Sequence, residues 1–196
     1  MGIEDVRNRK LLYHLTKLEN LQSIIENGLL SRKKVLDKGC SFADVADSEI
    51  LDGRDEYDLD SYVPFHFHPY SAFDAAVKSK YDTHEFIYIC VQRDFARKKG
   101  FLVLPQHPLS KQGFELLSYD EGFSKIDWET MSTKGLDSSY ARQVKMAECL
   151  SAKKVKVDDF FCIAVENKNT KKDVELMLKN NGINKKPPFV DVQKWF

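Results

Sequence analysis

Residues 11–30 read LLYHLTKLENLQSIIENGLL, and a change of period inside this stretch decides the fold. From Leu11 to Lys17 the period is two, with Leu12, His14 and Thr16 on one face and Leu11, Tyr13 and Leu15 on the other. Beyond Lys17, Leu18, Leu21, Ile24, Ile25 and Leu29 recur at helical spacing, and Gly28 with Leu29 marks the helix stop. A strand that presents an imidazole and a hydroxyl on one face and leads into a short helix is a platform suited to a dinucleotide. Taken locally, the same pair reads equally as a hydrogen-bonded, half-buried couple.

The bulk properties set the frame around that stretch. A chain of 196 residues is read as one domain, 1–196, large enough for a real core. Lysine plus arginine and aspartate plus glutamate both number 30, so the net charge is zero and nucleic-acid binding has to rest on local patches. Cys40, Cys90, Cys149 and Cys162 show no CxxC spacing and read as reduced, mostly buried thiols, with no zinc site. Met1 to Lys10 is charged and lacks the apolar region of a signal peptide, and no apolar run is long enough to span a bilayer. The expectation is a cytoplasmic protein without a membrane partner.

Outward from Leu30, Ser31 to Asp60 has little regular apolar pattern, and only Val45, Ile50 and Leu51 hint at a short helix. It carries Arg54 among Asp52, Asp55, Glu56 and Asp58, a setting that by itself suggests a surface ion pair. Tyr62 to Phe67 alternates as a strand, and Pro64 near its start suits a sheet edge. His66 and His68 share a face there, but no third metal ligand of fitting type stands nearby. Ser71 to Lys80 predicts a short helix, His84 to Val91 a buried strand, and Gly100 to Pro105 another, preceded by a basic turn at Arg97 to Lys99. Lys111 to Lys145 reads as the longest irregular region, with Trp128 anchoring it to the core. Met146, Glu148 and Leu150 would share a strand face, which places a carboxylate in apolar surroundings where it needs a partner or a function. Val155 to Val165 predicts a strand with a bend at Asp158 and Asp159, Thr170 to Gly182 an amphipathic helix, and Phe189 to Val192 a final strand before Trp195 and Phe196.

Several of these strings together resemble a known family. Tyr13-His14 and Thr16, then Asn20-Leu21, Ile24-Ile25 and Gly28-Leu29, resemble the opening of the ADP-ribosyltransferase superfamily. Tyr62, Val63, Pro64, Phe65, Phe67 and Pro69 are similar to the Tyr-Val-Pro-Phe-Tyr-Phe strand and following proline of the DarT family of bacterial DNA ADP-ribosyltransferase toxins, with His66 at the second tyrosine. Tyr70 to Phe73 departs from the family's Arg-Ser-Pro-Met. Lys145-Met146-Ala147-Glu148 fits the family's basic residue followed by Met-Ala-Glu, and Trp195-Phe196 its ending.

The resemblance implies an α+β fold, a split antiparallel β-sheet with flanking helices, and NAD as co-substrate in the cleft between the sheet halves. Strands would lie near Leu11, Tyr62, Glu85, Leu102, Ala147, Phe160 and Val190. By the same resemblance His14 and Thr16 hold a ribose of NAD, and Leu15, Asn20, Ser23, Ser31 and Arg54 complete the cofactor-binding set. Glu148 and Arg54 are the implied catalytic residues, Arg54 clamping the pyrophosphate or steering the base. Single-stranded DNA is the implied acceptor, modified on thymine or guanine as read by Met131 to Gln143, and a DarG-like macrodomain antitoxin is the implied partner. Transfer to protein or RNA, or NAD binding without catalysis, are the alternatives. The chemistry suits the groups: breaking the nicotinamide–ribose bond develops positive charge on the ribose, which a nearby carboxylate stabilises, and no metal is required.

Overall fold

The structure, a computed structural model, describes residues 5–40, 42–44, 53–69, 71–81, 85–107, 115–135, 138–185 and 188–196. Strands β1 (Leu11–Lys17), β2 (Val63–His66), β3 (Phe86–Gln92), β4 (Leu102–Leu104), β5 (Leu117–Ser118), β6 (Glu148–Ser151), β7 (Cys162–Val165) and β8 (Phe189–Val192) form one sheet in the order β5-β4-β6-β2-β1-β3-β7-β8. Neighbours run antiparallel except β7 and β8. That parallel pair needs a crossover, which the helix Lys168–Asn180 supplies. The sheet is therefore mixed at one edge.

Register explains where the sheet opens. β1 pairs with β3 along its whole length, from Leu11↔Gln92 to Lys17↔Phe86, but meets β2 at Tyr13↔His66 alone. The halves β5-β4-β6-β2 and β1-β3-β7-β8 part beyond that point, which is the split that the family resemblance implies. Pro64 consequently sits in an interior strand, not at an edge. Its carbonyl faces β1 and accepts from His14 Nδ1 at 2.7 Å. The nitrogen and carbonyl of one residue face the same neighbour, so the missing N–H falls where no ladder bond is made.

Alternation along the strands sorts the core onto two faces. Leu12, Phe65, Ile87, Ile89, Val103 and Cys149 pack on one. Tyr13, Leu15, Tyr88 and Cys90 pack on the other, covered by the terminal Trp195, whose ring lies edge-on to Tyr13 at 5.9 Å and to Tyr88 at 5.5 Å. The cysteines are free thiols, Cys90 and Cys149 buried. Arg93 joins the layers. It is 6% exposed, and its Nε, Nη1 and Nη2 donate to the carbonyls of Leu11 (3.2 Å), Arg7 (2.9 Å) and Phe67 (2.9 Å). Its guanidinium also stacks near Phe67, Phe123 and Trp128 at 5.1, 5.9 and 5.6 Å.

Several elements differ from their expected form. Lys111 to Lys145 is not irregular where described: it holds β5 and the helices Tyr119–Lys125, Trp128–Ser132 and Ser139–Lys145. These helices are five to seven residues long, too short for a helical period to stand out, and side-chain caps at Asp127 and Ser138 start the last two. Trp128 anchors the region as expected, donating to the Phe123 carbonyl at 2.9 Å. The expected strand Val155–Val165 shrinks to β7, because Val155 bridges Leu29 and residues Val157–Asp159 form a 3-10 turn. The basic turn is the end of a helix, Arg93–Lys98, and Arg97 there pairs with Asp120 at 2.6 Å. Arg32–Asp37 is helical within the segment read as loop. The short helix suggested by Val45, Ile50 and Leu51 lies outside the described residues. The C-terminal helix begins at Lys168 because Asn167 caps it, accepting from the Asn169 and Thr170 N–H groups; Val174 and Leu178 are buried as expected and Met177 packs at the core's rim.

Candidate active site

Where β1 and β2 part, a cleft opens between the sheet halves. His14, Leu15, Thr16, Asn20, Ser23, Arg54 and Glu148 all line it, drawn from β1, the following helix Leu21–Asn27, the helical turn at residues 53–56, and β6. Ser31 is the exception among the expected residues. It is buried at the start of the helix Arg32–Asp37 and does not line the cleft.

Glu148 opens β6, 4% exposed, directly opposite His66 on β2. Met146 does not share its strand face, because it closes the helix Ser139–Lys145 with φ −100° and ψ 16°. That helix ends on Lys145, which is buried and donates to the carbonyls of Thr133 (2.6 Å) and Gly135 (2.5 Å), tying down the segment that precedes Glu148. Arg54 Nη1 donates to both Glu148 oxygens, at 2.7 and 2.9 Å, and Nη2 to the Leu59 carbonyl at 3.4 Å. Burial alone would raise the Glu148 pKa, but Arg54, with His66 and His107, outweighs it and holds the carboxylate ionised below its usual range. The guanidinium that sequence reasoning assigned to the pyrophosphate thus rests on the carboxylate. The cleft's other arginine, Arg32, is likewise paired, with Asp44 at 2.8 Å.

Another wall of the cleft is built by β1. His14 Nδ1 carries the proton donated to Pro64, which leaves Nε2 as an acceptor for a hydroxyl. Asn20 spends its amide inside the protein. Its Nδ2 donates to Thr16 Oγ1 (3.1 Å) and the Ala43 carbonyl (3.0 Å), and its Oδ1 accepts from the Ala43 N–H (2.7 Å). Asn20 therefore aims the Thr16 hydroxyl and fastens residues 42–44 beside the cleft. Apolar walls from Ile24, Leu29, Val35 and Phe42 complete a pocket of the kind that takes a nucleotide ring system, with a few fixed polar groups.

Two imidazoles, His68 fully buried and His14 half-buried beside the cleft, make the fold acid-sensitive. Burial pushes His14 from its ordinary 6.5 down to about 4, against the Pro64 hydrogen bond, which favours the charged ring. His68, just beyond β2, is pushed down to about 3 by burial, with His66 and Lys145 adding to it. Both rings are neutral when folded and free to protonate when unfolded. Their contribution is fully present above pH 6.5 and is lost as pH falls through that value toward 4. At about 1.4 kcal/mol per pH unit for each ring, urea unfolding at pH 5 is expected to give about 4 kcal/mol less stability than at pH 7. Equal stabilities at the two pH values would contradict the burial of these rings.

Two cleft residues escaped the sequence reading. The pattern of His66 with His68 suits cross-strand aromatic packing as well as metal ligation, and among the described residues no cluster of three His, Cys, Asp or Glu side chains stands ready for a metal. His107 follows β4 in a segment without pattern and reaches the cleft through its N–H bond to the Gln143 carbonyl at 2.9 Å. Burial lowers its pKa, with Glu148 opposing. Neither carries a local signal, since both depend on partners far along the chain.

Comparison with known proteins bears on what this cleft serves. A protein-family model described as "ssDNA thymidine ADP-ribosyltransferase, DarT" matches residues 13–196. The chain belongs to the DarT family. Its fold is that of solved DarT structures: a Thermus sp. 2.9 DarT in complex with ADP-ribosylated ssDNA is 22% identical, covers 94% of each chain and superposes with a TM-score of 0.80. The same Thermus protein in complex with NAD+ is 22% identical over 95% of this chain and 96% of that one, with a TM-score of 0.75. A Thermosipho africanus DarTG in complex with ADP-ribose is 16% identical, and 94% of this chain matches 50% of that longer one, with a TM-score of 0.68. No curated protein matches the chain in sequence. The matching family model describes an ADP-ribosyltransferase, and the cleft between the sheet halves combines apolar walls with a few fixed polar groups. No described helix is long and apolar enough to cross a membrane.

Proposed function

We propose that this DarT-family enzyme acts as one cytoplasmic domain that transfers ADP-ribose from NAD+ to a thymine of single-stranded DNA, as a toxin held in check by a DarG-like macrodomain antitoxin. The observation that carries the reading is the buried, ionised Glu148 at the mouth of β6, in one cleft with His14 and Thr16. His14 Nε2 and the Thr16 hydroxyl hold a ribose, and the apolar wall takes the adenine. Glu148 faces the ribose whose bond to nicotinamide breaks and stabilises the positive charge that develops there. When NAD+ binds, Arg54 shares its donors between Glu148 and the pyrophosphate, a division that a planar guanidinium permits. The family description supports thymidine as acceptor, and the DNA-bound Thermus relative supports a single strand entering the same cleft.

The test is incubation with labelled NAD+ and single-stranded oligonucleotides of differing base content, alongside folded proteins and tRNA. Label is expected on thymine-containing DNA. Label confined to guanine-containing DNA would move the acceptor. Label on protein or RNA alone, or NAD+ binding without turnover, would overturn the reading.

A further inference from the structure

We propose that His66 is the base that takes the proton from the acceptor nucleobase, through its Nε2. This assignment rests on the DNA-modifying reading above and names a residue that the reading leaves without a role. His66 and Glu148 are register partners on antiparallel β2 and β6. Side chains directly opposite each other stand on the same face with Cβ atoms about 4.5–5.5 Å apart, and both line the cleft. The imidazole is oriented. Its Nδ1 lies 3.4 Å from the Ala147 carbonyl, which can only accept, so the proton sits on Nδ1 and Nε2 keeps its lone pair. Phe73 packs against the ring at 6.2 Å between centroids, tilted by 34°.

Transfer sets two tasks that conflict in one carboxylate. The ribose needs a negative charge beside it, and the incoming nitrogen needs somewhere to leave its proton. Glu148 suits the first and not the second, because both its oxygens are held by Arg54 and it is kept ionised below the usual range. A group so reluctant to protonate is a weak base. His14 spends Nδ1 on Pro64 and is driven neutral at the ribose end of the cleft. Of the ionisable neighbours of His66, Glu148 is its register partner, and Asp74 is a buried carboxyl whose pKa burial raises. Asp74 is 2% exposed. One of its oxygens lies within hydrogen-bond range of the Ser71 N–H, at 3.4 Å, in a helix capping box, and the other, Oδ1, is buried with no partner. The ionisable groups facing His66 are thus Glu148 and its partner Arg54, Asp74, His14, His68 and His107.

The step balances without a co-reactant. In DNA the one N–H of thymine is at N3. As the N3–C1′ bond forms, the N3 proton passes to His66 Nε2, and the electron pair of the C1′–nicotinamide bond leaves with neutral nicotinamide. The imidazolium returns its proton to solvent when the product departs.

The test compares wild type with His66→Gln and His66→Ala on a thymine oligonucleotide across pH, with thermal unfolding as a check of folding. His66→Gln is expected to lower kcat for transfer about 100-fold or more, with a change in KM for NAD+ below about threefold. The acid limb of the wild-type pH–rate profile is expected to vanish in the variant, and added imidazole to restore part of the His66→Ala rate. A His66→Gln rate within tenfold of wild type, or one that keeps the acid limb, overturns the assignment while the DNA reading stands. Absence of any transfer to DNA by the wild type overturns both.

Discussion

Glu148→Gln is expected to lower ADP-ribose transfer about a thousandfold while the protein stays folded. The substitution keeps the shape of the side chain and removes its charge, which is what the ribose cation needs. Loss of one preorganised electrostatic partner in a buried site costs about 100- to 1000-fold, and Glu148 is both buried and held in place by Arg54. The upper end of that range applies because Gln also offers an N–H toward the developing positive charge. Arg54 loses its ionic partner but keeps the Leu59 carbonyl and an amide oxygen to bond, so the melting temperature is expected to fall by a few degrees at most. Initial rates with labelled NAD+ and a thymine oligonucleotide, alongside thermal unfolding, measure both. A rate within tenfold of wild type would remove Glu148 from the chemistry.

Arg93→Ala is expected to be the most destabilising single change outside the cleft, by about 3–5 kcal/mol. Three main-chain carbonyls, of Leu11, Arg7 and Phe67, receive its donors, and a hydrogen bond to a charged group is worth about 1.5–3 kcal/mol. The three are not additive, and part of their worth offsets the cost of burying the guanidinium, which depresses its pKa to about 10. Truncation also leaves a void against Phe67, Phe123 and Trp128. Because Arg93 ties β1 and the end of β2 to the aromatic cluster, its loss loosens both walls of the split. Arg93→Lys is expected to recover less than half of the loss, since a point charge cannot reach three carbonyls in different directions. Urea unfolding reads both variants; a loss under about 1 kcal/mol for Arg93→Ala would mean that the carbonyls find water instead.

Pro64 shows how far local pattern reaches. Tyr62 to Phe67 announces a strand and the proline announces a missing donor, and both statements hold. The inference that the strand lies at an edge does not hold, because the gap the proline needs is supplied by the split beside β1 rather than by solvent. Lys111 to Lys145 failed for a different reason: helices of one or two turns bury too few residues for a period to appear, and their starts are signalled only by single caps such as Asp127 and Ser138. Asn20 and Ser31 were read as NAD contacts from resemblance alone. Asn20 lines the cleft with its amide bonded to Thr16 and Ala43, and Ser31 is buried outside the cleft lining.

Resemblance to the DarT family, not local pattern, singles out His14, Thr16, Arg54 and Glu148; the sequence by itself determined the period switch at Leu11 to Leu30, the type of most long elements, and the helix that closes on Asn181. Those features are legible because they repeat within a few residues, and solvent on one side and core on the other impose the repeat. Only the tertiary structure decided that β2 lies inside the sheet, that Arg54 closes on Glu148 across 94 positions of chain, that His66 stands opposite Glu148, and that Arg93 gathers three distant carbonyls. Each of these is a pairing between segments far apart in sequence. Which partner a strand or a charge finds depends on register and on the burial of every competing partner, and no stretch of a few residues records that.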